Sequence, residues 1–165
     1  MSGEVSSEGL DPAQRAEAEA SVAEQEAAAA VLPPLLAAAR DEGAAPEHRR
    51  AFWEAVFRLP HWIFVARGES DSPAPLVVYA GPDGQTPTML AFSRPEDAVH
   101  TARAAGLSEE ESSLLLAVPM PAAAEWAASF AQSGVRMLQV EAHDEGGLVI
   151  PLEFLPRMRA DLLGG

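Results

Sequence analysis

Few residues in this chain could do chemistry, and their spacing argues against most of it. Four histidines, His48, His61, His100 and His143, are scattered over 165 residues. None forms the His-x-x-x-His pair that would put two imidazoles on one helical face for zinc. The best cluster is His143-Asp144-Glu145, which a turn could present to one cation; it reads as a solvated loop. His100 follows Val99 on the polar side of its helix and reads as a surface residue. Gly81-Pro82-Asp83-Gly84 lacks the Lys-Ser/Thr of a phosphate loop and opens a strand rather than a helix. There is no Gly-x-Ser-x-Gly elbow, and with no cysteine there is no thiolate nucleophile or zinc thiolate. The reading is therefore non-enzymatic, with no catalytic residue, no metal ligand and no cofactor assigned. What remains is a surface for a partner. The acidic run Glu109-Glu110-Glu111 and the aromatic Trp62 are its candidate residues, with a solvated helix start as the plain alternative for the run.

Charge narrows the partner. The net charge is −14, and phosphate binding needs clustered positive charge, so nucleic acid is not expected. All 11 basic residues are arginine. No apolar run reaches the roughly 20 residues that span a bilayer, and the first ten residues are acidic where a signal peptide is basic. The expectation is a soluble cytoplasmic protein that binds a protein partner, with a homodimer possible and no membrane contact.

The elements that would position these residues read in order. Residues 1–10 should be disordered. Asp11-Pro12-Ala13-Gln14 is a capping box that opens an Ala/Glu-rich helix to about Ala30. Residues 1–30 hold seven acidic side chains against Arg15, and Val22 is the one large apolar residue in mid-helix. Residues 1–32 are thus read as a flexible, partly helical acidic arm that adds little to the core; docking on a partner chain is the alternative. Pro33-Pro34 starts a helix to about Glu42. Pro46 starts another, Glu47 to Leu59, whose Phe52, Val56 and Leu59 share a face with Trp53 and Phe57 at its edge.

His61 to Val65 is a short apolar strand, and Arg67 to Pro75 a loop. Val77 to Tyr79, the Gly81–Gly84 turn and Thr86 to Phe92 form strand, turn and strand. Ser93-Arg94-Pro95-Glu96 then reads as a capping box for a helix that Gly106 ends. Ser108 caps one helical turn. Leu114 to Val118 lacks alternation and is expected to be an interior strand buried on both faces. Pro119 and Pro121 open a helix to about Gln132, ended by Gly134. Arg136 to Ala142 and Leu148 to Ile150 flank a hairpin loop, and Pro151 begins the last helix. The fold class expected is mixed α/β, or α+β: a single domain over residues 33–165, with a central mixed sheet of five to six strands packed by helices.

From Ala51 onward this pattern resembles the N-terminal domain of the SseB-type family, named for enhanced serine sensitivity. The resemblance is carried by the helix and strand from Phe52 to Val65, by Met89-Leu90-Ala91-Phe92-Ser93-Arg94-Pro95-Glu96-Asp97-Ala98, and by the Gly134-Val135 turn with its following strand, Gly-containing loop and Pro-led terminal helix. Glu141-Ala142-His143-Asp144 stands where that family tends to have an Asn-Pro turn. The resemblance implies no established catalytic residues; the function expected is a protein-binding or adaptor domain of that type, and the charge of −14 favours a partner with a basic patch, an apolar one being the other possibility. A small acidic secretion-type chaperone, or an immunity-type protein, is the alternative.

Overall fold

A computed structural model describes residues 11–69, 71–144 and 146–164; the N-terminal segment expected to be disordered lies outside them. Helix α1 (Pro12–Ala30) begins at the anticipated box, with the Asp11 carboxylate accepting from the Gln14 amide and the Gln14 side chain accepting from that of Asp11. After a one-residue turn, α2 (Leu32–Arg40) carries its two prolines in the first turn, where a missing N–H costs nothing. Next, α3 (Pro46–Phe57) buries Phe52, Trp53, Val56 and Phe57, and α2 packs along it through Leu36 and Ala39. Such a wide apolar stripe needs cover on several sides, and the C-terminal helix α7 (Leu155–Leu163) supplies one of them.

Among the described residues, seven strands follow the helical start. Strand β1 (His61–Glu69) pairs antiparallel with β2 (Ser72–Pro75) and with β5 (Leu115–Pro119), giving the order β2-β1-β5. The second sheet has the order β3-β4-β6-β7, from β3 (Val77–Ala80), β4 (Thr86–Ala91), β6 (Met137–Val140) and β7 (Leu148–Pro151). Its β4–β6 pair is parallel and the others antiparallel. The domain is thus mixed α+β and single, but its strands divide into sheets of three and four rather than one of five to six.

The sheets meet where Ile63 and Phe92 exchange backbone hydrogen bonds of 2.9 and 2.8 Å. Period-two alternation does the rest. Trp62 and Phe64 on β1, with Met89 and Ala91 on β4, enter the larger core under α2, α3, α6 (Ala122–Ser129) and α7. Ile63, Val65, Leu90 and Phe92 point the other way, into a smaller core closed by Ala98 and Ala102 of α4 (Pro95–Ala104). On α6 the buried residues are Ala123, Ala124 and Ala127, small enough for close approach.

Three local expectations are corrected. Arg67 to Pro75 is not a loop: Arg67–Glu69 end β1 and pair with Ser72–Ala74 of β2, with Gly68 in a left-handed conformation opposite Pro73. Strand β5 is an edge strand; Ala117 and Pro119 are exposed and Leu114, just before it, is half-exposed, because among the described residues β1 is its one strand neighbour. The Ser93–Glu96 box does not form: Arg94 is the N-cap of α4, and Ser93 is buried against a distant carboxylate.

The arm also behaves differently along its length. From Pro12 to Glu24 helix α1 is exposed, Val22 included, but Gln25 reaches into the fold. Its amide accepts from the His61 N–H at 3.0 Å and donates to the carbonyls of His61 and Ser93 at 3.1 and 3.0 Å, while Ala29 and Leu32 are buried. Glu26 pairs with Arg94 at 2.7 Å. Replacing Gln25 by Ala should lower the unfolding free energy by about 2 kcal/mol, since it strips partners from half-buried backbone groups. Val22→Ala should stay within about 0.5 kcal/mol. Denaturant unfolding of the two variants checks both values.

Candidate functional site

The two parts of the expected partner surface separate. Trp62 is not available to a partner: it is 1% exposed, sits tilted against Phe57 at 5.7 Å, and donates its indole N–H to the Val56 carbonyl at 2.9 Å. The unalternating run His61 to Val65 hides this, because both faces of β1 are core. Of the acidic run, Glu109 and Glu110 are exposed on the short helix α5 (Glu109–Ser112), as expected of either reading. Glu111 is engaged at home. It completes the capping box with Ser108 and accepts from Arg67 at 2.7 Å, and these contacts, Arg67 first, draw its carboxyl down to about 2.

His143 does not work with its sequence neighbours either. Asp144 turns to Arg40, whose guanidinium donates to the Asp144 carbonyl at 2.9 Å, and Glu145 lies outside the described residues. The His143 ring instead faces two carboxylates from other places. Its Nε2 lies 3.2 Å from Oδ2 of Asp97, in the first turn of α4, and 3.8 Å from Oε2 of Glu141, just after β6. Glu141 is 5% exposed and accepts from the Ser93 N–H at 2.6 Å and from the Ser93 hydroxyl at 3.0 Å. Burial pushes its carboxyl up, against the pull of the Ser93 N–H, His143 and the Ser93 hydroxyl.

The backbone that delivers Glu141 is constrained. Glu141 is left-handed at φ 59°, a conformation that costs a non-glycine residue of order 1 kcal/mol or more. Gly147 permits the loop to close over it. A Cβ there would collide with the Val140 carbonyl oxygen and sit 2.7 Å from that of Glu141. Sequence reasoning saw the glycine pair as a hairpin turn but not the close approach. The contact between Ser93 and Glu141 spans 48 residues and leaves no local signature.

A wide open groove lies elsewhere. Between α3, β7 and α7 runs a groove of about 610 Å³. Its walls are apolar: Trp53, Val149, Phe154, Met158 and Leu162, with Val149 and Phe154 about half exposed. Two exposed guanidinium groups, Arg49 and Arg50, also line it, and among the described residues neither is paired with a carboxylate. Glu47 is the acidic group of the lining. A second cavity, about 440 Å³, lies beside α1 between Val22, Gln25, Ile63 and Ser93. Among the described residues, no helix is long and apolar enough to cross a membrane.

Comparison with protein-family models, with curated proteins and with solved structures gives no match.

Two measurements check the local account. Glu111 has a folded-state carboxyl below its ordinary value of 4.5, so its stabilisation is present above that value and is lost as pH falls toward about 2. Thermal melts of Glu111→Gln and the parent should differ at neutral pH and converge through that window. Gly147→Ala should destabilise by more than about 2 kcal/mol, since it adds both a clash and a strained φ, whereas Gly106→Ala, with open space around it, should cost less.

Proposed function

We propose that this chain is a non-enzymatic protein-binding domain, an adaptor of SseB-like type, and that its recognition surface is the α3–β7–α7 groove. The observation that carries this reading is the combination of exposed apolar side chains, Val149 and Phe154, with Arg49 and Arg50, unpaired with carboxylates among the described residues, on a chain of net charge −14. Apolar walls supply affinity by leaving water, and guanidinium groups select carboxylates. The occupant that fits is a partner segment with apolar residues flanked by Asp or Glu. Recognition by side chains in a groove also suits the strand edges: β2, β5 and β7 carry Pro73, Pro75, Pro119 and Pro151, which cannot donate to an added strand.

The test is fluorescence anisotropy with short labelled peptides of one apolar core and acidic, neutral or basic flanks. The acidic-flanked peptide should bind best, and its affinity should fall as salt rises. Phe154→Asp, and the double change Arg49→Glu with Arg50→Glu, should each weaken it by at least about tenfold while leaving the melting temperature within a few degrees. Preference for the basic-flanked peptide, or no peptide bound at all, overturns the reading. A secretion-type chaperone would offer such a groove from a dimer, so a dimeric full chain in sedimentation, dissociated by Phe154→Asp, would favour that alternative.

A further inference from the structure

Away from the groove, three donor atoms converge from three places in the chain. His143, Asp97 and Glu141 each offer one donor atom within 4.8 Å of the other two, and Nε2 of His143 is 3.2 Å from Oδ2 of Asp97 and 3.8 Å from Oε2 of Glu141. We propose that Asp97, Glu141 and His143 form a binding site for one divalent first-row transition ion, such as zinc, that ties α4 to the β6–β7 loop.

The separations suit a shared ion. Donors about 2.1 Å from a metal stand about 3.0 Å apart at adjacent octahedral positions and about 3.4 Å apart in a tetrahedron. The His143 nitrogen is 3.2 and 3.8 Å from its two carboxylate oxygens. The His143–Asp97 distance falls within that range, and a small rotation of the partly exposed His143 ring closes the longer one to Glu141. One imidazole with two carboxylates is an intermediate donor set. It favours zinc, manganese or iron(II) over copper(I), which takes sulfur, and over calcium, which takes six or more oxygens.

Two of the three donors are held by other groups. Ser93 clamps Glu141 through both its N–H and its hydroxyl, which fixes the carboxylate as an outer hydrogen bond fixes a metal ligand. Phe92 lies against the imidazole, ring centres 6.1 Å apart. The His143 Nδ1 is buried with no hydrogen-bond partner among the described residues; with an ion on Nε2 in place of a proton, Nδ1 is the nitrogen that carries the N–H. Gly147 and the left-handed Glu141 lock the loop that carries two of the three donors.

Charge gives the second argument. A buried carboxylate must be paired or neutralised. A protonated His143 brings one positive charge to two carboxylates, and the nearby Arg94 is committed to Glu26 by hydrogen bonds from its Nε at 3.2 Å and its Nη2 at 2.7 Å. A divalent ion balances both carboxylates at once.

The experiment uses the full chain, stripped with a chelator and dialysed, and titrated with zinc in competition with a chromophoric chelator. Cobalt(II) serves as a spectroscopic substitute. One equivalent should bind and raise the melting temperature by mass action. Asp97→Asn and His143→Ala should each weaken binding by at least about tenfold and change the cobalt spectrum, while His48→Ala leaves both as they were. Asp97→Asn alters a half-buried side chain on a helix surface, so circular dichroism should show it folded even if a Glu141 variant is not. No ion retained, equal affinity in all variants, or loss in His48→Ala instead overturns the site.

Discussion

Ile63 and Phe92 exchange two backbone hydrogen bonds, and the rest of the fold depends on that pair. It brings β1 of one sheet alongside the end of β4 of the other. Because side chains alternate along a strand, each of these strands is then obliged to fill two cores at once. Trp62 and Phe64 serve the core under α3, while Ile63 and Val65 serve the one under α4. Neither core closes without the other. The same junction places Ser93, the residue after Phe92, inside the protein, where it meets Glu141.

That placement explains why the histidine cluster exists at all. A strand end carrying a buried hydroxyl and N–H calls for an acceptor, and Glu141 supplies it by taking a left-handed turn directly after β6. Turning there brings His143 back over Phe92 and toward the first turn of α4, where Asp97 waits. A hydrogen bond that solves a packing problem thereby assembles three side chains of metal-binding type. The groove has a different origin. It is the part of the α3 stripe, around Trp53, that α7 covers only on one side.

Signals confined to a few residues were legible in the sequence. The Asp11–Gln14 and Ser108–Glu111 boxes form as written, because each is complete within four residues and meets no competitor. Gly134 ends its helix left-handed for the same reason. The Ser93–Glu96 box carries the same local pattern and fails, because burial makes a distant carboxylate the stronger claimant on the Ser93 hydroxyl and N–H. Division of the strands into two sheets was hidden for a related reason. An apolar run such as His61 to Val65 reports that both faces are covered, not by what, so it disclosed neither the second core nor the burial of Trp62. Of the two candidate sites, the sequence held the residue types but not the meeting of Asp97 with His143, nor of Arg49 with Phe154. Those are matters of topology.

The prolines of the edge strands bear on the behaviour of the protein at high concentration. Three of the four outer strands, β2, β5 and β7, end or begin with a residue that cannot extend a hydrogen-bonded ladder. Stacking of sheets edge to edge, the usual first step toward fibrils, is blocked on those sides. The exception is β3, which has no proline and displays Tyr79, 72% exposed, beside its rim. Among the described residues, β3 is therefore the outer strand most open to edge-to-edge pairing in slow aggregation, at Val77 to Ala80.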